Sequence, residues 1–185
     1  MKFLIFNFQF SKRGFTLIEL LITITIFSIV ITAFLGLFGS AFHWQRKSLS
    51  QFYLLNNASY LTEYISRALR MAKKDLTGSC IAPKYNYENP GGDSSKIRFL
   101  NYNEECQEFF LQNGVLKVKK SGVTLPLTPS NLIVESLKFE INGESQNDQL
   151  QPKVTFVLKL KTSQQPSQII NLQTTVSQRD LDVQY

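Results

Sequence analysis

The sequence predicts an α+β protein. One long N-terminal helix, transmembrane in its first half and amphipathic in its second, packs on an antiparallel β-sheet domain. Three observations carry this. From Leu20 to Phe42 the chain contains no Asp, Glu, Lys or Arg. From Leu54 to Leu76 apolar residues recur at three- and four-residue steps. Beyond Gly78 they alternate in short runs separated by turn residues, the period of half-buried strands.

Composition sets the outer limits. The 185 residues suit one globular domain plus an appendage, because domains run to about 100–150 residues. Lysine and arginine total 20 against 14 acidic residues, a net charge of +6, and Lys2, Lys12 and Arg13 supply half of that excess. Charge placed ahead of an apolar run orients it in a membrane, whereas nucleic-acid binding leans on clustered charge.

The first segment is too long for a secretory signal, whose apolar core is about 7–15 residues and precedes a small-residue cleavage site. Leu20 to Phe42 is about 23 residues and rises about 34 Å as a helix, enough to cross a hydrocarbon core of about 30 Å. A buried helix of a soluble protein would show one apolar stripe, not apolar faces all round. Lys12 and Arg13 keep the start cytoplasmic, so the chain after Phe42 is expected to be extracytoplasmic. Thr23, Thr25, Ser28, Thr32 and Ser40 are expected to bond their own backbone carbonyls or a neighbouring helix.

Glu19 stands at the edge of this run. A carboxylate within a spanning helix costs on the order of 2.5–3.5 kcal/mol on insertion scales, which marks it as a functional residue in need of a partner. Interaction with its own helix N-terminus contributes about 0.3–1 kcal/mol, short of that cost. Further on, Gly36 and Gly39 weaken the helix by about 0.5–1 kcal/mol each relative to alanine, and Gly36 with Ser40 would let another helix approach closely.

The order Lys12-Arg13-Gly14-Phe15-Thr16-Leu17-Ile18-Glu19, followed by the apolar run, resembles the processing and assembly motif of type IV prepilins and type II secretion pseudopilins. The resemblance covers about the first quarter of the chain. It implies cleavage after Gly14 by a prepilin peptidase, N-methylation of the new terminus at Phe15 by the same enzyme, and polymerisation of the apolar helices into a filament core with Glu19 as the assembly carboxylate. Physically, glycine before the cut lets a peptidase hold the backbone closely. The amine exposed on Phe15 can then meet Glu19 of a neighbour, two charges that are each expensive alone in lipid. The leader departs from the family pattern, because Phe3, Leu4, Ile5, Phe6, Phe8 and Phe10 make it oily.

The expected organisation is a leader over 1–14, a transmembrane and filament-core helix over 15–42, an amphipathic helix over 43–77 and a β-rich domain over 78–185. Trp44, Tyr53, Arg46 and Lys47 lie where an interfacial belt belongs. His43, the one histidine, lacks partners for catalysis or metal binding. Thr77-Gly78 reads as the helix stop and Pro83 to Ser95 as an irregular loop. Lys96 to Tyr102 reads as a strand, and Asn113-Gly114 as the turn of a hairpin between Cys106–Gln112 and Val115–Lys119. Further strands are expected around Phe139, Phe156 and Leu172, while Pro126 and Pro129 reduce the piece from Val123 to Thr128 to an edge or a connection. The sum is a sheet of five or six strands laid on the amphipathic half of the helix.

Cys80 and Cys106 are the only cysteines, and both fall in the segment assigned to the oxidising side, which favours a disulfide between helix end and hairpin over two free buried thiols. No phosphate loop, paired-histidine motif or nucleophile elbow is present, so no enzymatic activity, metal or cofactor is expected. Lys117, Lys119, Lys120, Lys159 and Lys161 offer a basic patch for nucleic acid or a membrane surface, but solvated strand faces and edge protection explain them at least as well.

The function expected is that of a pilin-like filament subunit of a type IV pilus or a type II secretion pseudopilus. A minor, priming or tip role follows from a layout similar to that of the larger minor pilins and J-type pseudopilins. Its expected partners are the prepilin peptidase and methylase, other pilin-like subunits, the inner-membrane assembly platform and the lipid bilayer. The alternative is a single-pass membrane-anchored binding module that never polymerises, for which Glu19 would bring no gain.

Overall fold

A computed structural model of the chain describes residues 14–144 and 150–180. The chain divides into two units, Met1–Gln45 and Arg46–Tyr185. One helix, α1, runs Leu17–Arg70. Seven strands follow: β1 Lys96–Leu100, β2 Cys106–Gln112, β3 Val115–Lys120, β4 Val123–Pro126, β5 Leu132–Asn142, β6 Lys153–Thr162 and β7 Ile169–Ser177.

In the first unit the helix exposes its apolar side chains on every side, among them Leu17, Ile24, Val30 and Leu37. It is long and apolar enough to cross a membrane. Its hydroxyls turn inward on the backbone. Thr25 donates to the Leu21 carbonyl at 2.8 Å, Ser28 to Ile24 at 2.7 Å, Thr32 to Ser28 at 2.7 Å and Ser40 to Gly36 at 3.1 Å. This back-bonding satisfies each hydroxyl within the helix and leaves a hydrocarbon surface. Gly36 and Gly39 sit inside continuous helix, and a methyl group added at either meets nothing within 4 Å.

In the second unit the helix becomes one-sided. Leu54, Ala58, Leu61, Ile65 and Leu69 are buried along one stripe, the spacing of an amphipathic helix. The helix ends at Arg70, earlier than the Thr77-Gly78 stop that periodicity suggests. Ala72 remains fully buried, but Lys73 pairs with Leu100 and Asp75 with Tyr85 as isolated bridges, so sheet-like hydrogen bonding takes over from the helix. Apolar spacing reports burial and does not by itself say which backbone conformation delivers it.

The strands form two antiparallel sheets, β1-β2-β3-β4 and β5-β6-β7, where alternation alone suggested one sheet of five or six strands. Pro129 lies in the connection between β4 and β5, and β5 meets the first sheet only at points: the Val134 amide donates to the Gly114 carbonyl at 2.8 Å and the Phe139 amide to the Ser94 carbonyl at 2.7 Å. Asn113 and Gly114 adopt φ values of 53° and 72°, the left-handed pair that a two-residue hairpin turn requires. The stretch expected as an irregular loop holds a short 3₁₀ turn, Pro90–Gly92, and a bridge from Glu88 to Arg98.

One core joins the helix stripe to both sheets. Phe99 and Phe109 come from the first sheet, Phe139 and Phe156 from the second, and each is at most 2% exposed. Burying a side chain of this size contributes about 1.5–3 kcal/mol. The last strand is fastened to the helix end: the Gln178 side chain donates to the Ala72 carbonyl and the Arg179 amide to the Arg70 carbonyl, both at 2.8 Å.

Candidate functional site

The site begins where helix begins. Gly14, Phe15 and Thr16 precede the first helical residue in non-helical backbone, and all three are exposed. Among the described residues, no atom beyond Gly14 and its chain neighbours lies within 4 Å of the place a Gly14 side chain would occupy. The bond between Gly14 and Phe15 thus lies in exposed, non-helical backbone.

Thr16 and Glu19 cap the helix reciprocally. Glu19 Oε2 accepts from the Thr16 amide at 3.3 Å and from the Thr16 hydroxyl at 3.1 Å, while Thr16 Oγ1 accepts from the Glu19 amide at 3.4 Å. This is a capping box, with threonine at the N-cap and glutamate three residues on. It satisfies backbone donors that have no partner within the helix and places a carboxylate against the positive end of the helix dipole. The Thr16-x-x-Glu19 spacing carries that signature in the sequence, and the more conspicuous problem of a carboxylate in lipid hides it. Lys12 and Arg13 lie outside the described residues.

Cys80 and Cys106 form a disulfide across 26 positions, with Cα atoms 5.2 Å apart. It ties the segment after the helix to the start of β2. The approach to Cys80 is organised by Asp75, which is fully buried. Its carboxylate accepts from the successive amides of Thr77, Gly78, Ser79, Cys80 and Ile81, the shortest being Cys80 at 2.7 Å and Gly78 at 2.8 Å. Burial by itself raises the Asp75 pKa, and the amides of Cys80, Ile81, Ser79 and Gly78 outweigh it, so the carboxyl is held well below its ordinary value. Gly78 takes φ +76° in this turn. No sequence signal announces Asp75, because its partners are backbone amides.

The remaining polar groups are structural in placement. Tyr87 donates to the Leu69 carbonyl at 2.7 Å, and burial with the nearby Glu144 charge pushes its hydroxyl up. Glu105 is held down to about 2 by hydrogen bonds from Lys120, Asn101 and Ser121. Lys159 and Lys161 both reach Glu135, at 2.8 and 3.8 Å, so part of the lysine-rich strand face is locally neutralised.

With this geometry in view, residues 10–35 match the model of the prokaryotic N-terminal methylation motif, the leader signature of type IV prepilin-like proteins. The motif and the long apolar helix that continues it fit a type IV pilin-like protein, made as a membrane-anchored precursor, processed by a prepilin peptidase and assembled with other pilin-like subunits. Neither the curated proteins nor the solved structures contain a match to the chain.

Proposed function

We propose that this chain is a minor pilin or minor pseudopilin, built into a type IV pilus or a type II secretion pseudopilus in a priming or tip role, and without enzymatic activity of its own. The observation that carries the reading is the register of the N-terminus: an exposed Gly14-Phe15 bond and a carboxylate at Glu19 inside the matched motif, and an uninterrupted apolar helix that starts within the motif and continues beyond it. Lys12 and Arg13 hold the leader in the cytoplasm, and the domain from Arg46 onward lies outside the membrane. Peptidase cleavage after Gly14 exposes an amine on Phe15, which is then methylated. That amine pairs with Glu19 of the preceding subunit, and each neutralises a charge that lipid penalises.

A minor role is supported by the layout of a long helix carrying two sheets and ending in the β6-β7 ladder. Co-expression with a prepilin peptidase tests the reading. The expected result is loss of residues 1–14, and a chain of unchanged mass overturns it.

A further inference from the structure

The second unit carries a cleft of about 340 Å³ where α1 passes the ends of β5 and β6. Arg46 and Ser50 of the helix form one wall. Asn131, just before β5, Thr162, the last residue of β6, and Gln165 beyond it form the other.

The side chains of this cleft have their oxygens engaged within the protein. Asn131 Oδ1 accepts from the Tyr53 hydroxyl at 2.5 Å, Thr162 Oγ1 from the Gln168 amide at 2.8 Å and Gln165 Oε1 from the Ser167 amide at 3.3 Å. The groups left to meet a ligand are weighted toward donors: the NH2 ends of Asn131 and Gln165 and the O–H of Thr162. Thr162 is only 3% exposed, so its donor lies in a place where a missing acceptor is unfavourable.

Arg46 adds a charge. It is exposed, and no Asp or Glu among the described residues lines the cleft. One guanidinium with neutral donors around it complements a monoanion. Because those donors come from opposite walls, they suit the divergent oxygens of a tetrahedral phosphate better than the two coplanar oxygens of a carboxylate. A phosphate source is close along the chain: Arg46 follows Phe42, the end of the apolar run, by four residues, about one turn of the same helix. Arginines just beyond a membrane span lie at headgroup level. Leu49, 62% exposed, also lines the cleft and gives the carbon part of a lipid headgroup an apolar contact.

We propose that this cleft binds a phosphate monoanion on Arg46, Asn131, Thr162 and Gln165, presented as the phosphodiester of a membrane lipid or as a free phosphate ester. The lipid source rests on the membrane-anchored precursor described above. The anion site itself does not, and neither source requires cleavage or polymerisation.

The test uses the full-length chain in phosphate-free maltoside micelles with two probes, dihexanoyl phosphatidylglycerol followed by native mass spectrometry and inorganic phosphate followed by equilibrium dialysis. Arg46→Gln removes the exposed cation, and Asn131→Asp keeps the acceptor for Tyr53 while replacing the Nδ2 donor by a charged oxygen. Ser48→Glu is the control: it makes the same change of charge at an exposed position about 200° round the helix from Arg46. The expected result is one saturable phosphatidylglycerol per chain, with affinity lowered about tenfold or more in Arg46→Gln and in Asn131→Asp and changed by less than about twofold in Ser48→Glu. Phosphatidylglycerol binding without inorganic phosphate binding assigns the lipid headgroup, and inorganic phosphate binding with the same dependence on the variants assigns free phosphate. No saturable binding of either probe, binding that either cleft substitution leaves intact, or an equal loss in Ser48→Glu overturns the proposal, the last because general charge attraction would then account for it. Thermal unfolding of each variant checks that the fold is kept. Peptidase cleavage of the same preparations tests the pilin reading separately, since an uncleaved chain that binds the anion would lose that reading and keep this site.

Discussion

Glu19 Oε2 accepts from both the amide and the hydroxyl of Thr16, at 3.3 and 3.1 Å, so the carboxylate closes the N-terminus of its own helix. In the proposed function the same group pairs with the amine of a neighbouring subunit. The two roles are compatible in sequence of time: the cap fixes where the helix begins, and under the proposed function the partner amine arises only once cleavage frees Phe15.

Glutamine serves as well as glutamate at this position of a capping box but carries no charge. Glu19→Gln therefore separates the roles. Cleavage after Gly14 should persist in Glu19→Gln and in Glu19→Ala, while recovery of the protein in sheared filaments should fall at least tenfold in both. Wild-type incorporation of Glu19→Gln would assign the residue to helix capping alone. Electrophoretic mobility reports the cut, and immunoblotting of the filament fraction reports assembly.

Asp75 holds the turn that delivers Cys80. Asp75→Asn should cost about 2–4 kcal/mol, because it replaces a carboxylate that accepts five backbone amides and leaves buried donors short of acceptors. The measurement is chemical denaturation of the detergent-solubilised protein, and a change within about 0.5 kcal/mol, the range of ordinary surface substitutions, would contradict it.

The same carboxylate gives stability a defined pH dependence. Its pKa in the folded protein lies below the ordinary value of 3.8, so the unfolded chain takes up the proton first as pH falls. The contribution of Asp75 is complete above that ordinary value and is lost progressively as pH falls below it toward the folded value. Thermal unfolding followed from neutrality to pH near 3 should show an acid decline that is shallower in Asp75→Asn.

The Cys80–Cys106 bridge closes a loop of 26 positions. On the loop-entropy model its loss destabilises by roughly 3–4 kcal/mol. Paired Cys80→Ser and Cys106→Ser substitutions should lower the denaturation midpoint accordingly, and an unchanged midpoint would mean that the unfolded chain is already confined by other means.

Much of this fold is legible in the sequence, and the exceptions have physical causes. The apolar run to Phe42, the stripe from Leu54 to Leu69 and the Asn113-Gly114 turn are local signals that tertiary structure leaves intact. The helix end is not local. Ala72 keeps the helical spacing and is buried, yet Leu100 and Tyr85, distant in sequence, take up the backbone beyond Arg70. The division into two sheets is equally non-local, since alternation at Leu137, Phe139 and Ile141 tells which face is buried but not which strand lies alongside. Within the site, Gly14, Phe15 and Glu19 are picked out by the resemblance of their order to the prepilin motif, whereas Asp75 escapes because only the folded turn brings its amides together.

Mass spectrometry of the mature N-terminus tests the central claim most directly. The account predicts a chain that begins at Phe15 and carries one N-methyl group. A mature chain that retains residues 1–14, or that begins at any other residue, would contradict it.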